Sequence, residues 1–326
     1  MNKEDSLYSI YVQILKEELV MAMGCTEPIA ISYACAKATQ ILQHLPDRIV
    51  VKASGSIIKN VKSVIVPHTN GLKGIEVAAA AGALYGDANA KLEVLSSATK
   101  QQIEELPEYV RKTNITVQHI EQGHVFDLEV NVYYEQEHAS VRIVDAHTNI
   151  VQMEKNWEVI YEDKTTNLEH KADHSALIMK QIWDFSQTVD IEDIKEILEQ
   201  QITCNMAIAN EGIHNSYGAN IGHVILNMDS DCVKTKAKAY AAAGSDARMN
   251  GCELPVVINS GSGNQGITCC VPVVVYAKEL NCTEEQLYRA LVLSNLTAIY
   301  IKTGIGTLSA FCGAVSAGAA AGAGIA

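Results

Sequence analysis

Hydrophobic spacing in the first part of the chain predicts mainly helices. Leu7, Ile10, Ile14 and Met21 recur at intervals of three, four and seven residues, which is typical of the buried stripe of a helix over residues 6–24. Further apolar runs predict, in order, a helix from Cys25 or Thr26 to about Leu42, strands over 47–53 and 63–67, an Ala-rich helix to Leu84 and a helix over 98–106.

Strict alternation of apolar and polar residues then predicts a half-buried antiparallel strand from Val125 to Tyr134. The apolar face would carry Phe126, Leu128, Val130, Val132 and Tyr134, and the polar face Asp127, Glu129 and Asn131. Residues 114–120 and 140–146 fit as the neighbouring strands.

The second half of the chain is patterned as helices. Helices are predicted over about 172–187 and 191–209, the latter capped by Asp190. The polar stretch 154–170 is the best candidate for a domain boundary. We therefore predict an α+β protein: an N-terminal α+β domain with an antiparallel sheet over residues 1–165, followed by a mainly α-helical domain over residues 166–326.

Composition and charge narrow the range of functions. The 326 residues carry 25 Lys plus Arg against 38 Asp plus Glu, a net charge of −13, which disfavours nucleic acid and anionic membrane surfaces as partners. The polar N-terminus has no signal-peptide pattern, and none of the nine cysteines forms a C-x-x-C pair. We expect a cytoplasmic protein whose cysteines serve as buried thiols, metal ligands or catalytic groups.

The C-terminal stretch after Lys302 carries no charge and is rich in Gly and Ala. Its few bulky residues favour a buried helix over a membrane span, with Gly318 and Gly322 spaced for close backbone packing. Gly/Ala-rich helices of this kind pack closely within one subunit or between subunits, so the sequence is compatible with a homo-oligomer. Because the sequence stops inside this run at Ala326, we expect it to be a truncation of a longer protein.

Cys25 is the first candidate for chemistry. It precedes a predicted helix, and the positive end of a helix dipole favours the thiolate form of cysteine. The neighbouring Glu27 opposes that effect. On the residues alone, a buried cysteine beside a helix cap is the more favoured interpretation.

A Gly-rich segment at residues 259–266 is the second candidate. It reads NSGSGNQG, lacks the lysine of a P-loop and does not have the Rossmann glycine spacing. Its backbone amides, with Ser260, Ser262, Asn264 and Gln265, suit a small carboxylate. We favour binding slightly over a purely structural turn, since a turn does not require consecutive amide and hydroxyl side chains.

Three further residues have side chains that could take part in catalysis or binding, but the sequence around each of them gives weaker support for such a role. His147 follows a predicted strand and could act as an acid or base, and Arg248 could bind a carboxylate through two hydrogen bonds. Turn chemistry and an ion pair with Asp246 are the more favoured interpretations of these two residues taken singly. Cys312 lies on an apolar stretch, where a cysteine usually serves packing.

Taken together, these segments resemble the L-cysteine desulfidase family, which is related to the alpha chain of the iron–sulfur L-serine dehydratases. The matching words are GCTEPI (24–29), HTNIV (147–151), SDARM (245–249), NSGSGNQGIT (259–268), AIYI (298–301) and LSAFC (308–312). They follow the order of the family and span nearly the whole chain.

The resemblance implies a [4Fe–4S] enzyme without pyridoxal phosphate that converts L-cysteine to sulfide, ammonia and pyruvate. In that family pattern Cys312 matches a cluster ligand, and Cys25 matches the thiol assigned as base or as an extra cluster ligand. The 259–266 segment would hold the carboxylate of the amino-acid substrate, with His147 and Arg248 as weaker matches for pocket residues.

The resemblance also implies two more cluster cysteines in a segment beyond residue 326. We therefore expect the sequence as written to bind no normal cluster and to show little elimination. Two alternatives remain open: an L-serine dehydratase with the same mechanism, and a non-catalytic protein that binds an amino acid.

Overall fold

The computed structural model describes residues 1–24, 26–163, 172–306 and 313–326. The chain divides into two compact units. One unit, here called the helical unit, joins Met1–Ala22 to Leu168–Ala326, and the other, the sheet unit, comprises Met23–Asn167. The first 22 residues, which the sequence interpretation placed with the sheet, thus belong to the helical unit.

The described elements alternate between helices and strands in the first half and are mainly helices in the second. The helices are α1 (Ser6–Glu18), α2 (Thr26–Leu42), α3 (Gly55–Val61), α4 (Ile75–Tyr85), α5 (Lys100–Lys112), α6 (Met179–Thr188), α7 (Lys195–His214), α8 (Ile221–Leu226), α9 (Val233–Met249), α10 (Gly263–Glu279), α11 (Glu284–Ile305) and α12 (Gly313–Ile325). The strands are β1 (Met21–Met23), β2 (Arg48–Ala53), β3 (Asn114–His119), β4 (Asp127–Tyr134), β5 (Glu137–Val144), β6 (Ile150–Lys155), β7 (Glu158–Glu162) and β8 (Pro255–Val257). The predicted α+β class, with an antiparallel sheet followed by helices, is confirmed.

Three predicted elements differ from the structure. The helix predicted over 191–209 begins at Lys195, because Asp190 caps the separate 3-10 turn Ile191–Asp193. The helix predicted over 6–24 ends at Glu18, and residues 21–23 form β1, which pairs with β8. The strand predicted over 63–67 is wrong: this stretch turns back on itself, with Val66 N–H donating to the Leu72 carbonyl at 3.0 Å. A five-residue apolar run does not distinguish a strand from a tight turn.

The sheet unit is built on a six-stranded sheet in the order β3-β2-β4-β5-β6-β7. Strand β3 lies parallel to β2, and the other neighbouring strands are antiparallel. Residues 140–146 were correctly predicted beside the 125–134 strand, whereas 114–120 was wrongly predicted there, because β2 occupies that side of β4. Helix α2 packs against β4 and β5, while α4 contacts β2 and β3.

The polar side chains of β4 are more buried than alternation predicts. Asp127 is 0% exposed, because Arg142 donates from Nε and Nη2 to its two carboxylate oxygens at 3.0 and 2.8 Å. Asn131 is 5% exposed and lies 3.1 Å from the Nε2 of buried His138. These partners replace water, so the polar face of the strand needs no solvent at these positions.

The helical unit has its main core where α1 meets α6 and α11. Tyr11 packs edge-on against Phe185, with ring centroids 5.3 Å apart, and both side chains are fully buried with Leu291. The Tyr11 hydroxyl donates to the Ala176 carbonyl at 2.9 Å. These contacts hold the N-terminal helix in the helical unit, where periodicity alone could not place it.

Helix α12 packs through its alanines rather than through the glycine pair predicted from spacing. Ala317, Ala320 and Ala321 are buried, whereas a Cβ added to Gly318 or Gly322 would meet no described atom within 4 Å. The buried stripe faces α10 and α11. Within the described part of the chain, no helix combines the length and apolarity that a bilayer crossing requires.

We predict that Gly82→Ala destabilises the protein. A Cβ at this position of α4 would lie 2.2 Å from the backbone oxygen of Ser32 on α2, and neither backbone can move without repacking. Overpacking of this kind costs about 1–3 kcal/mol in the free energy of unfolding. Urea unfolding measures the change; Gly322→Ala is the matched control and should not destabilise. Equal effects of the two variants would contradict the close α2–α4 contact.

Candidate active site

The Gly-rich segment forms a tight turn that starts α10. Asn259 and Ser262 exchange two backbone hydrogen bonds, with N···O distances of 3.1 and 3.0 Å. Between them, Ser260 and Gly261 have left-handed φ values of 49° and 75°. The Ser262 hydroxyl then caps the helix by accepting from Gln265 N–H at 3.4 Å. The turn therefore leads directly into α10, a 17-residue helix whose first-turn backbone N–H groups lie next to the turn.

A cluster of buried carboxamides holds this turn in place. Asn295 Oδ1 accepts from Gln201 Nε2 at 2.9 Å and from Asn259 Nδ2 at 3.0 Å. In return Asn295 Nδ2 donates to Gln201 Oε1 at 2.8 Å and to the Leu291 carbonyl at 2.9 Å. All three carboxamides are 0% exposed, so each donor and acceptor must be satisfied within the protein. The cluster fixes Asn259 relative to α7 and α11.

Arg248 reaches the same helix start from the end of α9. It is 5% exposed, and its Nη1 donates to Asn264 Oδ1 at 3.1 Å. A Cβ on Gly263 would lie 2.2 Å from Arg248 Nε, so this atom faces the first residue of α10. Arg248 Nε has no hydrogen-bond partner among the described residues. Asp246 accepts from Ile221 N–H at 2.8 Å and thereby caps α8.

Gln265 is the second polar side chain at this helix start that lacks a partner. It is 1% exposed, and neither Oε1 nor Nε2 forms a hydrogen bond within the described part of the chain. A Cβ on Gly313 would lie 1.9 Å from Gln265 Oε1, so the first residue of α12 is directly against the carboxamide. A buried carboxamide without partners costs about 1–3 kcal/mol. Its retention points to a ligand that supplies the missing hydrogen bonds.

The remaining predicted residues of the segment have local partners. Ser260 Oγ donates to Asn259 Oδ1 at 3.0 Å, and Ser262 Oγ is the cap of α10. The side chain of Asn264 accepts a hydrogen bond from Arg248, and its backbone carbonyl accepts one from Thr268 Oγ1 at 2.7 Å. The geometry therefore distinguishes residues that shape the turn from Arg248 and Gln265, which carry the unpaired polar atoms.

His147 belongs to the sheet unit. It is 7% exposed and lies after β5, where its ring meets that of Phe126 edge-on with centroids 4.8 Å apart. A packed imidazole in an aromatic contact is sufficiently explained by the fold of that unit. Its predicted role as a pocket residue stays a prediction.

Cys25 and Cys312 both lie outside the described residues. Their neighbours are described: α2 begins at Thr26, directly after Cys25, as the sequence predicted, and α12 begins at Gly313, directly after Cys312. Gly24 has a left-handed φ of 58° and would place a Cβ 2.1 Å from Pro67 Cγ, so this approach to α2 admits only glycine. Both predicted cysteines thus directly precede helices.

Among the described residues the structure brings together no set of cluster ligands, and the two cysteines predicted for such a site lie outside them. No three His, Cys, Asp or Glu side chains of the described ranges come together as a metal site. No disulfide joins the described cysteines, and burial raises the pKa of the Cys35 and Cys269 thiols to about 12. Burial also raises the pKa of Cys270. Cluster ligands must be thiolates, and these environments favour the neutral thiol.

Sequence reasoning missed the residues that support the turn. Gln201, Asn205 and Asn295 lie in helices far from residue 259 in sequence, and Asn205 pairs with the Val257 backbone at 3.0 and 2.8 Å. A carboxamide within an otherwise apolar helix was the available signal, since a buried carboxamide requires partners. Gly313 was also missed, because the spacing of a glycine does not show which side chain it faces.

Comparison with known proteins gives consistent matches. A sequence model of the family described as serine dehydratase alpha chain matches residues 89–326. A UPF0597 protein of Desulfitobacterium hafniense is 50% identical over 328 residues, covering 100% of this chain and 76% of that protein. UPF0597 proteins of Lachnoclostridium phytofermentans and Finegoldia magna are each 48% identical, over 98% and 97% of this chain and 77% and 76% of their own lengths.

We predict that Asn295→Leu strongly destabilises the helical unit. Gln201 would lose both of its side-chain hydrogen bonds and Asn259 Nδ2 the shorter of its two while both stay buried, at a cost of about 1–3 kcal/mol for each group. Urea unfolding measures the loss. The matched control is Asn210→Leu, at an exposed position of α7, which should change the free energy of unfolding by less than about 0.5 kcal/mol. Similar stabilities of both variants would contradict the role of the cluster.

Proposed function

Since the chain belongs to the serine dehydratase alpha-chain family, we propose that it catalyses α,β-elimination from a small amino acid, with L-cysteine as the substrate. The products are sulfide, ammonia and pyruvate. The observation that carries this proposal is the pair of buried, unpaired polar groups at the start of α10, Arg248 Nε and the Gln265 carboxamide. Family membership supports the elimination, and the resemblance of the sequence motifs favours L-cysteine.

The start of α10 suits the carboxylate of such a substrate. Arg248 contributes a permanent positive charge and an unpaired N–H, and the first turn of the helix adds backbone N–H groups and the positive end of the helix dipole. A carboxylate bound there would be partly neutralised. Neutralisation of the carboxylate makes the adjacent Cα proton more acidic, which is what an elimination needs first.

Cys25 is the residue predicted to act as the base. The resemblance assigns removal of the Cα proton to a thiolate at this residue; a place directly before α2 favours that thiolate, and the neighbouring Glu27 opposes it. The electron pair of the broken C–H bond forms the Cα=Cβ double bond, and the Cβ–S bond breaks to release sulfide. The resulting aminoacrylate tautomerises to an imine, which water hydrolyses to pyruvate and ammonia.

The resemblance also assigns Cys312 to a [4Fe–4S] cluster, without pyridoxal phosphate. A cluster with an open iron supplies a Lewis acid to substrates of such enzymes. The steps proposed for this chain's own residues are binding of the carboxylate and removal of the proton.

L-Serine is the second candidate substrate, and the family match to a serine dehydratase alpha chain favours it. Its elimination is identical except that water leaves instead of sulfide. Assays of sulfide and pyruvate with L-cysteine, and of pyruvate with L-serine, on anaerobically prepared protein distinguish the two. Binding of either amino acid without any pyruvate would instead support the non-catalytic alternative.

We predict that Arg248→Lys raises KM for L-cysteine by about 10- to 100-fold, with a smaller effect on kcat, because one charged hydrogen bond to the carboxylate is worth about 1.5–3 kcal/mol. The lysine keeps the charge but loses the Nε–H that faces α10. Steady-state kinetics on folded variants measure the change.

The matched control is Arg111→Lys, at an exposed position of α5, which should leave both constants unchanged. An unchanged KM in Arg248→Lys would remove Arg248 from the substrate site. A loss in kcat alone would assign it to a later step than binding.

A further inference from the structure

The Gln265 carboxamide specifies more about the ligand than an arginine does. An arginine only donates hydrogen bonds, whereas a carboxamide both donates, through nitrogen, and accepts, through oxygen. Both atoms of Gln265 are buried and without partners among the described residues. Turning the carboxamide over exchanges the two atoms but leaves the same requirement. A ligand that satisfies this side chain must therefore contain an acceptor and a donor.

Arg248 adds a second, independent requirement at the same helix turn. Its Nε–H, which faces Gly263, also lacks an acceptor in the described ranges, and the guanidinium favours an anion. The three unpaired groups together call for an anion with a hydrogen-bond donor close to it. A free α-amino acid has this combination on one carbon, as a carboxylate and an ammonium.

We infer that Gln265 recognises the α-ammonium group of the substrate through its carboxamide oxygen, and that its nitrogen and Arg248 Nε donate to the carboxylate. This inference rests on the proposed function, in which an amino acid binds at the start of α10, and it adds the residue that selects amino acids over simple carboxylic acids. A carboxylic acid without an amino group leaves Gln265 Oε1 unpaired. An amine without a carboxylate leaves Arg248 Nε unpaired.

Gly313 controls the position of this carboxamide. Its missing side chain leaves room for Gln265 Oε1, which a Cβ would approach to 1.9 Å. The clashing atom is the far end of a flexible side chain, so alanine at this position displaces the carboxamide instead of the backbone. Gly313→Ala therefore alters recognition without removing any polar group.

The test measures binding of two unreactive probes, L-alanine and propionate, by titration calorimetry, so that it does not depend on turnover. We expect the wild-type protein to bind L-alanine about 10- to 100-fold more tightly than propionate, the range that one hydrogen bond to a charged group provides. In Gln265→Met, which has a similar shape without the carboxamide, the two affinities should come within about threefold of each other. Gly313→Ala should reduce the preference as well.

The matched control is Gly318→Ala on the same helix, where no described atom lies within 4 Å of the added methyl group; it should keep the wild-type preference. Thermal unfolding provides a second measurement. Gln265→Met removes an unsatisfied buried amide, so its Tm should rise while its preference for L-alanine is lost. A merely structural glutamine would give a lower Tm and an unchanged ratio of affinities.

Equal affinities of the wild-type protein for the two probes, no binding of either, or a preference that survives in Gln265→Met would each overturn the inference. The proposed function is tested separately, by turnover of L-cysteine and L-serine. A protein that prefers L-alanine through Gln265 but releases no pyruvate would retain the inference and refute the elimination. A protein that releases pyruvate, but whose preference for L-alanine does not depend on Gln265, would support the elimination and refute the inference.

Discussion

The candidate site depends on the need of buried carboxamides for partners. Asn295, fully buried in α11, satisfies Gln201 on α7 and Asn259 in the turn before α10. Each of these groups would be costly if left unpaired, so the cluster is stable only when three distant segments are brought to one place. The cluster thereby holds the turn at 259–262, from which α10 starts.

Three of the buried side-chain atoms that lack a partner in the described ranges lie at one place, the start of α10. Arg248 Nε and the Gln265 carboxamide are nearly as buried as Asn295, yet the described residues leave them without partners. Stability alone would favour apolar side chains there. Proteins keep such unfavourable groups mainly where a ligand completes them, which is why these two residues carry the functional proposal.

Much of the fold follows from local pattern. The helix after Cys25 and the alternating strand at 127–134 were predictable, because apolar spacing and capping act over a few residues. The placement of α1 in the helical unit was not predictable, because its apolar stripe could pack against either core. Only contacts such as that of Tyr11 with Phe185 decide which core it joins. Likewise, Gly318 and Gly322 had the spacing of a packing face, but α12 buries the alanines beside them.

The same division holds for the site. The sequence by itself identified the 259–266 segment, Arg248 and Gln265, and the family motifs that suggest an elimination, because residue type and spacing define their chemistry. Only the tertiary structure decided that Ser260 and Ser262 serve the turn, that Arg248 Nε faces Gly263 and that Gly313 lies against Gln265. The physical reason is that hydrogen-bond satisfaction and steric contact depend on groups far apart in sequence, which local pattern does not bring together.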